Sequence, residues 1–154
     1  MKMKFYFILV VAMLLPMTIF GQGKDLFSGL ENENYKRAIE ILDQGGDKDE
    51  ALSYLQKEVA EHPDNGFAYS MMAHVYKACN RVGEAMTCVN KAISLWKKNR
   101  ILLATAYWQR ASLNLKLGNE KAALRDWRKA IKADPTIDCV CADHAECPYK
   151  REKE

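Results

Sequence analysis

Cys139, Cys141, His144 and Cys147 fall within nine residues near the C-terminus, three thiols and one imidazole that could hold zinc as a Cys3His set. The single residue between Cys139 and Cys141 is tight for two ligands on one ion. The competing use is a disulfide of Cys139 or Cys141 with Cys147. A second pair, Cys79 and Cys88, flanks a turn and could face across it as a disulfide, or could serve as two small buried apolar residues. Five cysteines cannot all pair internally, so one free thiol or an intermolecular bond is expected. Catalytic constellations are missing. His62 adjoins Pro63, His74 has no matched nucleophile, and there is no Ser/His/Asp set, phosphate-binding glycine loop, defined carboxylate pair or CxxC motif. We therefore expect no enzyme and no cofactor.

The compartment decides between the thiol chemistries. Met1 to Gly23 has a short basic start with Lys2 and Lys4, an apolar run from Phe5 to Phe20, and small residues at Gly21 and Gly23. That is the layout of a secretory signal, with cleavage expected after Gly21. An uncleaved membrane anchor is the alternative, but sixteen apolar residues interrupted by Pro16 make a short span. An extracytoplasmic, oxidising location, periplasmic or secreted, favours disulfides or free thiols over metal. The formal charge of +3 falls to about +1 without the two leader lysines, too little to suggest nucleic acid as a partner.

The elements that must position these groups are helices. In Leu117 to Pro135, Gly118-Asn119 reads as a turn, and Ala123, Leu124, Trp127, Ala130 and Ile131 trace one stripe of a 3.6-residue period before Asp134-Pro135. Similar stretches run from Gly46 to Pro63 and from Arg81 to Lys97. Ala51, Ala85 and Ala123 open the three stripes, 34 and 38 residues apart. A recurring period of this size marks a repeat array.

Preceding helices complete three hairpins. Tyr35, Ala38, Ile39 and Leu42 lead to Gly45-Gly46, Asp47 caps the return helix, and Ala51, Leu52, Leu55 and Val59 form its buried face. Tyr69, Met72, Ala73 and Tyr76 precede a turn marked by Asn80 and Gly83. The third outward helix covers Ile101 to Leu117. Four extra residues separate the second and third units, and either a longer return helix or a bulged loop would hold them. We divide the chain into a leader (1–21), a lead-in (22–31), three units (about 32–65, 66–99 and 104–135) and a cysteine-containing charged tail (136–154).

These units resemble the tetratricopeptide repeat, whose pattern is an aromatic, Leu and a small residue at +3 and +4, an aromatic at +7, a small residue at +16, an aromatic at +20, a small residue at +23 and Pro near +28. The second unit supplies Tyr69, Met72, Ala73, Tyr76, Ala85, Val89 and Ala92. The third supplies Tyr107, Ala111, Ala123, Trp127, Ala130 and Pro135, with Arg110 and Asn114 as departures. The first supplies Tyr35, Leu42, Ala51, Leu55 and Pro63, with Ile39 and Glu58 where small residues are expected.

The resemblance implies an all-α solenoid of three antiparallel helix pairs, a right-handed superhelix whose concave groove takes a protein or peptide. The groove positions carried over are Lys36, Glu40 and Asp43; Phe67, Ser70, His74 and Lys77; and Thr105, Trp108, Ser112 and Lys116. Phe67 and Trp108 are the candidate anchors. Trp108 could instead pack on the four-residue insertion or the lead-in. Glu40 and Met71 stand where family members that clamp a terminal carboxylate carry Asn, so such a clamp is not expected. Two rival functions remain, a thiol- or metal-handling tail and a self-associating part of an envelope assembly.

Overall fold

The computed structural model describes residues 28–137. Those residues form six α-helices and no strand. They are α1 (Glu33–Asp43), α2 (Lys48–Glu61), α3 (Gly66–Ala78), α4 (Val82–Leu95), α5 (Arg100–Lys116) and α6 (Glu120–Ala133), with short 3-10 turns at Ser28–Leu30 and Pro135–Ile137. Neighbours in sequence pack as antiparallel pairs, α1 with α2, α3 with α4 and α5 with α6. Consecutive pairs then stack, α2 on α3 and α4 on α5, while α3 also meets α5. This is the all-α solenoid of three helix pairs that the repeat pattern predicts.

Polar side chains open three of the helices. Asp47 accepts the Asp49 amide at 3.0 Å, Asn65 accepts those of Phe67 and Ala68 at 3.1 and 3.3 Å, and Asn99 accepts that of Leu102 at 3.0 Å. Each satisfies a donor that the first helical turn cannot pair internally. The turn inside each pair uses one left-handed residue, Gly45 (φ 68°), Asn80 (φ 61°) or Gly118 (φ 73°). Gly83, expected in the second turn, lies instead inside α4, because Asn80 alone supplies the reversal.

Alanines set the spacing. Ala51, Ala85, Ala92, Ala111, Ala123 and Ala130 are wholly inaccessible and Ala73 nearly so, so paired helices approach closely there. Around them the main core runs through the first two pairs and takes in Ala106 and Leu113 of α5. A smaller cluster of Ala111, Ala123 and Trp127 closes the third pair.

Three details correct the sequence reading. In α1, Ile41 is buried, whereas Ile39 and Leu42 stay half-buried. Ala38 takes the close contact, so the bulk of Ile39 does not obstruct it. In α2 Ala51, Leu52 and Leu55 are buried as expected, but the fourth buried residue is Glu58, not Val59, which is half-buried. The four extra residues lengthen neither the return helix nor the loop. They add a turn at the start of α5, which has 17 residues against 13 in α3, while α2, α4 and α6 each have 14. The added turn packs Leu102 and Leu103 against the main core and leaves Ile101 65% exposed.

Candidate functional site

The inner helices α1, α3 and α5 border a cleft of about 490 Å³, with the start of α2 at one margin. Tyr35, Ile39 and Leu42 of α1 and Phe67, Met71 and Val75 of α3 give it an apolar wall. Asp43, Lys48, Ser70, His74 and Gln109 supply polar groups at intervals. Ile39 and Leu42 owe their half-burial to this position: they lie between the core and the cleft.

Two hydrogen bonds tie α3 to α5. The buried Ser70 hydroxyl donates to Gln109 Oε1 at 3.0 Å. Two turns along, the Lys77 ammonium donates to the Ser112 hydroxyl. Lys116 Nζ donates to the Lys77 carbonyl at 3.3 Å. Burial, and secondarily the charge of Lys116, holds the Lys77 ammonium below the usual lysine range.

Of the groove positions expected from sequence, Asp43, Phe67, Ser70 and His74 line this cleft, and Met71 and Gln109 join them. Lys77, Ser112 and Lys116 form the neighbouring polar cluster. The others are occupied elsewhere. Lys36 pairs with Glu31 at 3.0 Å and Glu40 with Arg37 at 3.1 Å, because each has an opposite charge within one or two turns of chain. Thr105 donates to the Ile101 carbonyl at 3.2 Å. Trp108 is half-buried against the cluster of Ala111, Ala123 and Trp127. It thus packs within its own unit.

Phe67 is likewise anchored, edge to face with Trp96 at 5.3 Å between ring centroids. Gly66 makes the approach possible: a Cβ there would sit 2.4 Å from Trp96 Nε1. The aromatic at the cleft is thus held by the residue that follows the second unit's outer helix.

Two buried polar networks were not expected. Arg110 grips Asp126 with two bonds, Nε to Oδ2 at 2.8 Å and Nη2 to Oδ1 at 2.7 Å, and donates to Asn90 at 2.8 Å. Asn114 donates to the same carboxylate at 3.1 Å. The two departures of the third unit from the repeat pattern are therefore partners of one buried acid. Their spacing of four on α5 was a signal that they share a face. In the first unit, Glu58 Oε1 accepts from Asn32 at 2.6 Å and from Asn65 at 2.7 Å, and Asn65 also donates to the Gly29 carbonyl at 2.9 Å. A carboxylate thus occupies the small-residue position, and the amides of Asn32 and Asn65, the residues that precede α1 and α3, surround it.

Cys79 and Cys88, read from the sequence either as a disulfide or as two small buried apolar residues, are free thiols. Cys88 belongs to the apolar core and Cys79 packs partly against it. Burial, with a smaller contribution from Glu84, pushes the Cys88 thiol up to about 11. Cys139, Cys141, His144 and Cys147 lie outside the described residues, as does the leader. Among the described residues no group of three or more His, Cys, Asp or Glu side chains could hold a metal, and no helix is long and apolar enough to cross a membrane.

The family model for the tetratricopeptide repeat matches residues 68–99 and 104–137. The chain carries tetratricopeptide repeats. The two matched segments are the second and third helix pairs, and α1 with α2 repeats the same hairpin before them. Serine/threonine-protein phosphatase 5 from Rattus norvegicus, from Mus musculus and from Homo sapiens is similar to the chain. Each is 30% identical over 118 residues, which is 73% of this chain and 23% of the relative. The chain thus spans about a quarter of the length of these relatives, and the phosphatase activity in their name is theirs.

Proposed function

We propose that this protein is a non-catalytic adaptor that works outside the cytoplasm and grips a protein partner, through an extended segment, in the cleft between its inner helices. The observation that carries the proposal is the cleft itself. Tyr35, Ile39, Leu42, Phe67, Met71 and Val75 give apolar contact, while Asp43, Lys48, His74 and Gln109 give polar contact along the same wall. A mostly apolar concavity with a few convergent polar groups is the usual form of a binding site. Tetratricopeptide repeats generally mediate protein–protein interactions, and the leader pattern of Met1 to Gly23 supports an extracytoplasmic setting.

A photo-crosslinking residue placed at Met71 tests the cleft, with the same residue at Arg125 on the exposed side of α6 as the control. We expect a discrete adduct from Met71 in native extracts and none of the same mass from Arg125. The purified partner should then bind an Ile39→Asp variant at least tenfold more weakly. Equal adducts at both positions, or unchanged affinity for the variant, would refute the cleft. N-terminal sequencing of the mature protein checks the compartment, with Gln22 the expected first residue.

A further inference from the structure

Beside one end of the cleft lies positive charge that the described part of the protein does not neutralise. Ser70, His74 and Lys77 follow one another along α3, and Gln109, Ser112 and Lys116 face them along α5. At the far end of this ladder lie two ammonium groups and a hydroxyl. Lys77 is half-buried and bonds to Ser112 Oγ; Lys116 bonds to the Lys77 carbonyl; neither has a carboxylate partner among the described residues. Lys36 is paired with Glu31, Arg37 with Glu40 and Arg110 with Asp126; Arg100, at the opposite end of α5, is an exposed cation with no carboxylate partner among the described residues.

A helix-end role accounts for only part of this. Both lysines lie in the last turn of their helices, where a cation is favourable. Lys116, on a backbone carbonyl, fits that role. Lys77 does not, since its half-buried side chain reaches a hydroxyl on the neighbouring helix instead. Bringing two like charges together and drying one of them is unfavourable unless an anion offsets it. The Ser112 oxygen accepts from Lys77, which leaves its hydroxyl proton available to donate. The set offers donors only, which is what a carboxylate requires.

We propose that Lys77, Lys116 and Ser112 form an anion subsite for an acidic side chain, Asp or Glu, within the extended segment that lies in the cleft. The proposal rests on the cleft reading and adds the chemistry of the ligand: apolar residues followed by an acid. A side chain is favoured over a chain terminus because α3 and α5 both end here, with Ala78 and Lys116 exposed. The gripped chain can therefore run on past the slab.

The test uses the full chain, labelled with nitrogen-15, and three N-acetylated hexapeptides. These are hexaglutamate and hexaglutamine with amidated ends, and hexaglutamine with a free terminal carboxylate. Hexaglutamate should shift the amides of Lys77, Ser112 and Lys116 in a saturable, salt-sensitive way. The same shifts should weaken at least tenfold in a Lys77→Gln, Lys116→Gln double variant whose spectrum is otherwise retained. Hexaglutamine should leave those amides unmoved. Three results would overturn the subsite: equal response to both amidated peptides, shifts confined to Lys121, Arg125 and Lys132 of α6, or preference for the free terminal carboxylate. If hexaglutamate fails while a partner still crosslinks at Met71, the cleft stands and the subsite falls; loss of the crosslink with hexaglutamate still bound at Lys77 would separate them the other way.

Discussion

Asp126 is a charge kept only 6% exposed, and its tolerance depends on Arg110 and Asn114. Removing one partner of such a pair leaves an uncompensated charge in a poorly solvated place. Arg110→Met should therefore destabilise the protein by about 2–4 kcal/mol in urea titration, well beyond the loss of an exposed ion pair. Replacing Asp126 with Leu in the same chain should recover part of that loss. Equal stability of wild type and the single variant would remove the network from the account of the third unit. Cys88 gives a pH signature of opposite origin. Its folded thiol titrates at about 11 against an ordinary 9.0, so the folded state holds a proton that the unfolded state releases first. The stability it contributes is fully present below pH 9 and is lost as pH rises toward 11. Thermal melts at pH 8, 9, 10 and 11 should show a steeper decline for wild type than for Cys88→Ala.

At the scale of elements, two contacts set how α3 enters the array. Gly66 lies under the indole of Trp96, and Gly66→Ala must push a ring that is itself 8% exposed and packed on Phe67. Alanine would normally gain about 1 kcal/mol over glycine in a helix. Here we expect a net loss of about 1–3 kcal/mol from overpacking, seen as a lower urea midpoint. The second contact is the Glu58 carboxylate, which receives Asn32 from the start of α1 and Asn65 from the start of α3. Glu58→Ala removes the acceptor of the Asn32 amide and one of the two acceptors of Asn65, and should cost about 1–3 kcal/mol. Glu58→Gln keeps an acceptor at that position without the charge, and should fall within about 1 kcal/mol of wild type. A glutamine variant as unstable as the alanine variant would mean that the charge, not the acceptor, is what α1 and α3 need.

For the whole molecule, stability is shared between neighbours along the array. Ala106 and Leu113 of α5 complete the main core, and half-buried Met86 and Ile93 of α4 pack against that core. A chain ending at Asn99 loses this cover and exposes the apolar side of the second unit. Circular dichroism should show its melting midpoint at least about 10 °C below that of the full chain, since each kcal/mol is worth about 4–8 °C at this size. An unchanged midpoint would mean that the third pair is a separate body. The same arrangement builds the cleft, because no single hairpin supplies its walls: α1 and α3 give the apolar side, and Gln109 of α5 closes it.

The residues alone determined the hairpins. Alanines at 34- and 38-residue intervals, aromatic positions between them and the turn residues Gly45, Asn80 and Gly118 are local signals, and helix formation answers to local spacing. The resemblance to the tetratricopeptide repeat is what carried Phe67, Ser70 and His74 to the inner face, where they line the cleft. Which polar groups would pair was not legible, because Glu58 with Asn32 and Asn65, Arg110 with Asp126, and Lys77 with Ser112 lie far apart in the chain or on different helices. Nor was the fate of Trp108, which could equally have faced the groove until α6 was laid against it. Periodicity says which face of a helix is apolar; only packing one helix on another decides which side chains leave water and which charges must find each other there.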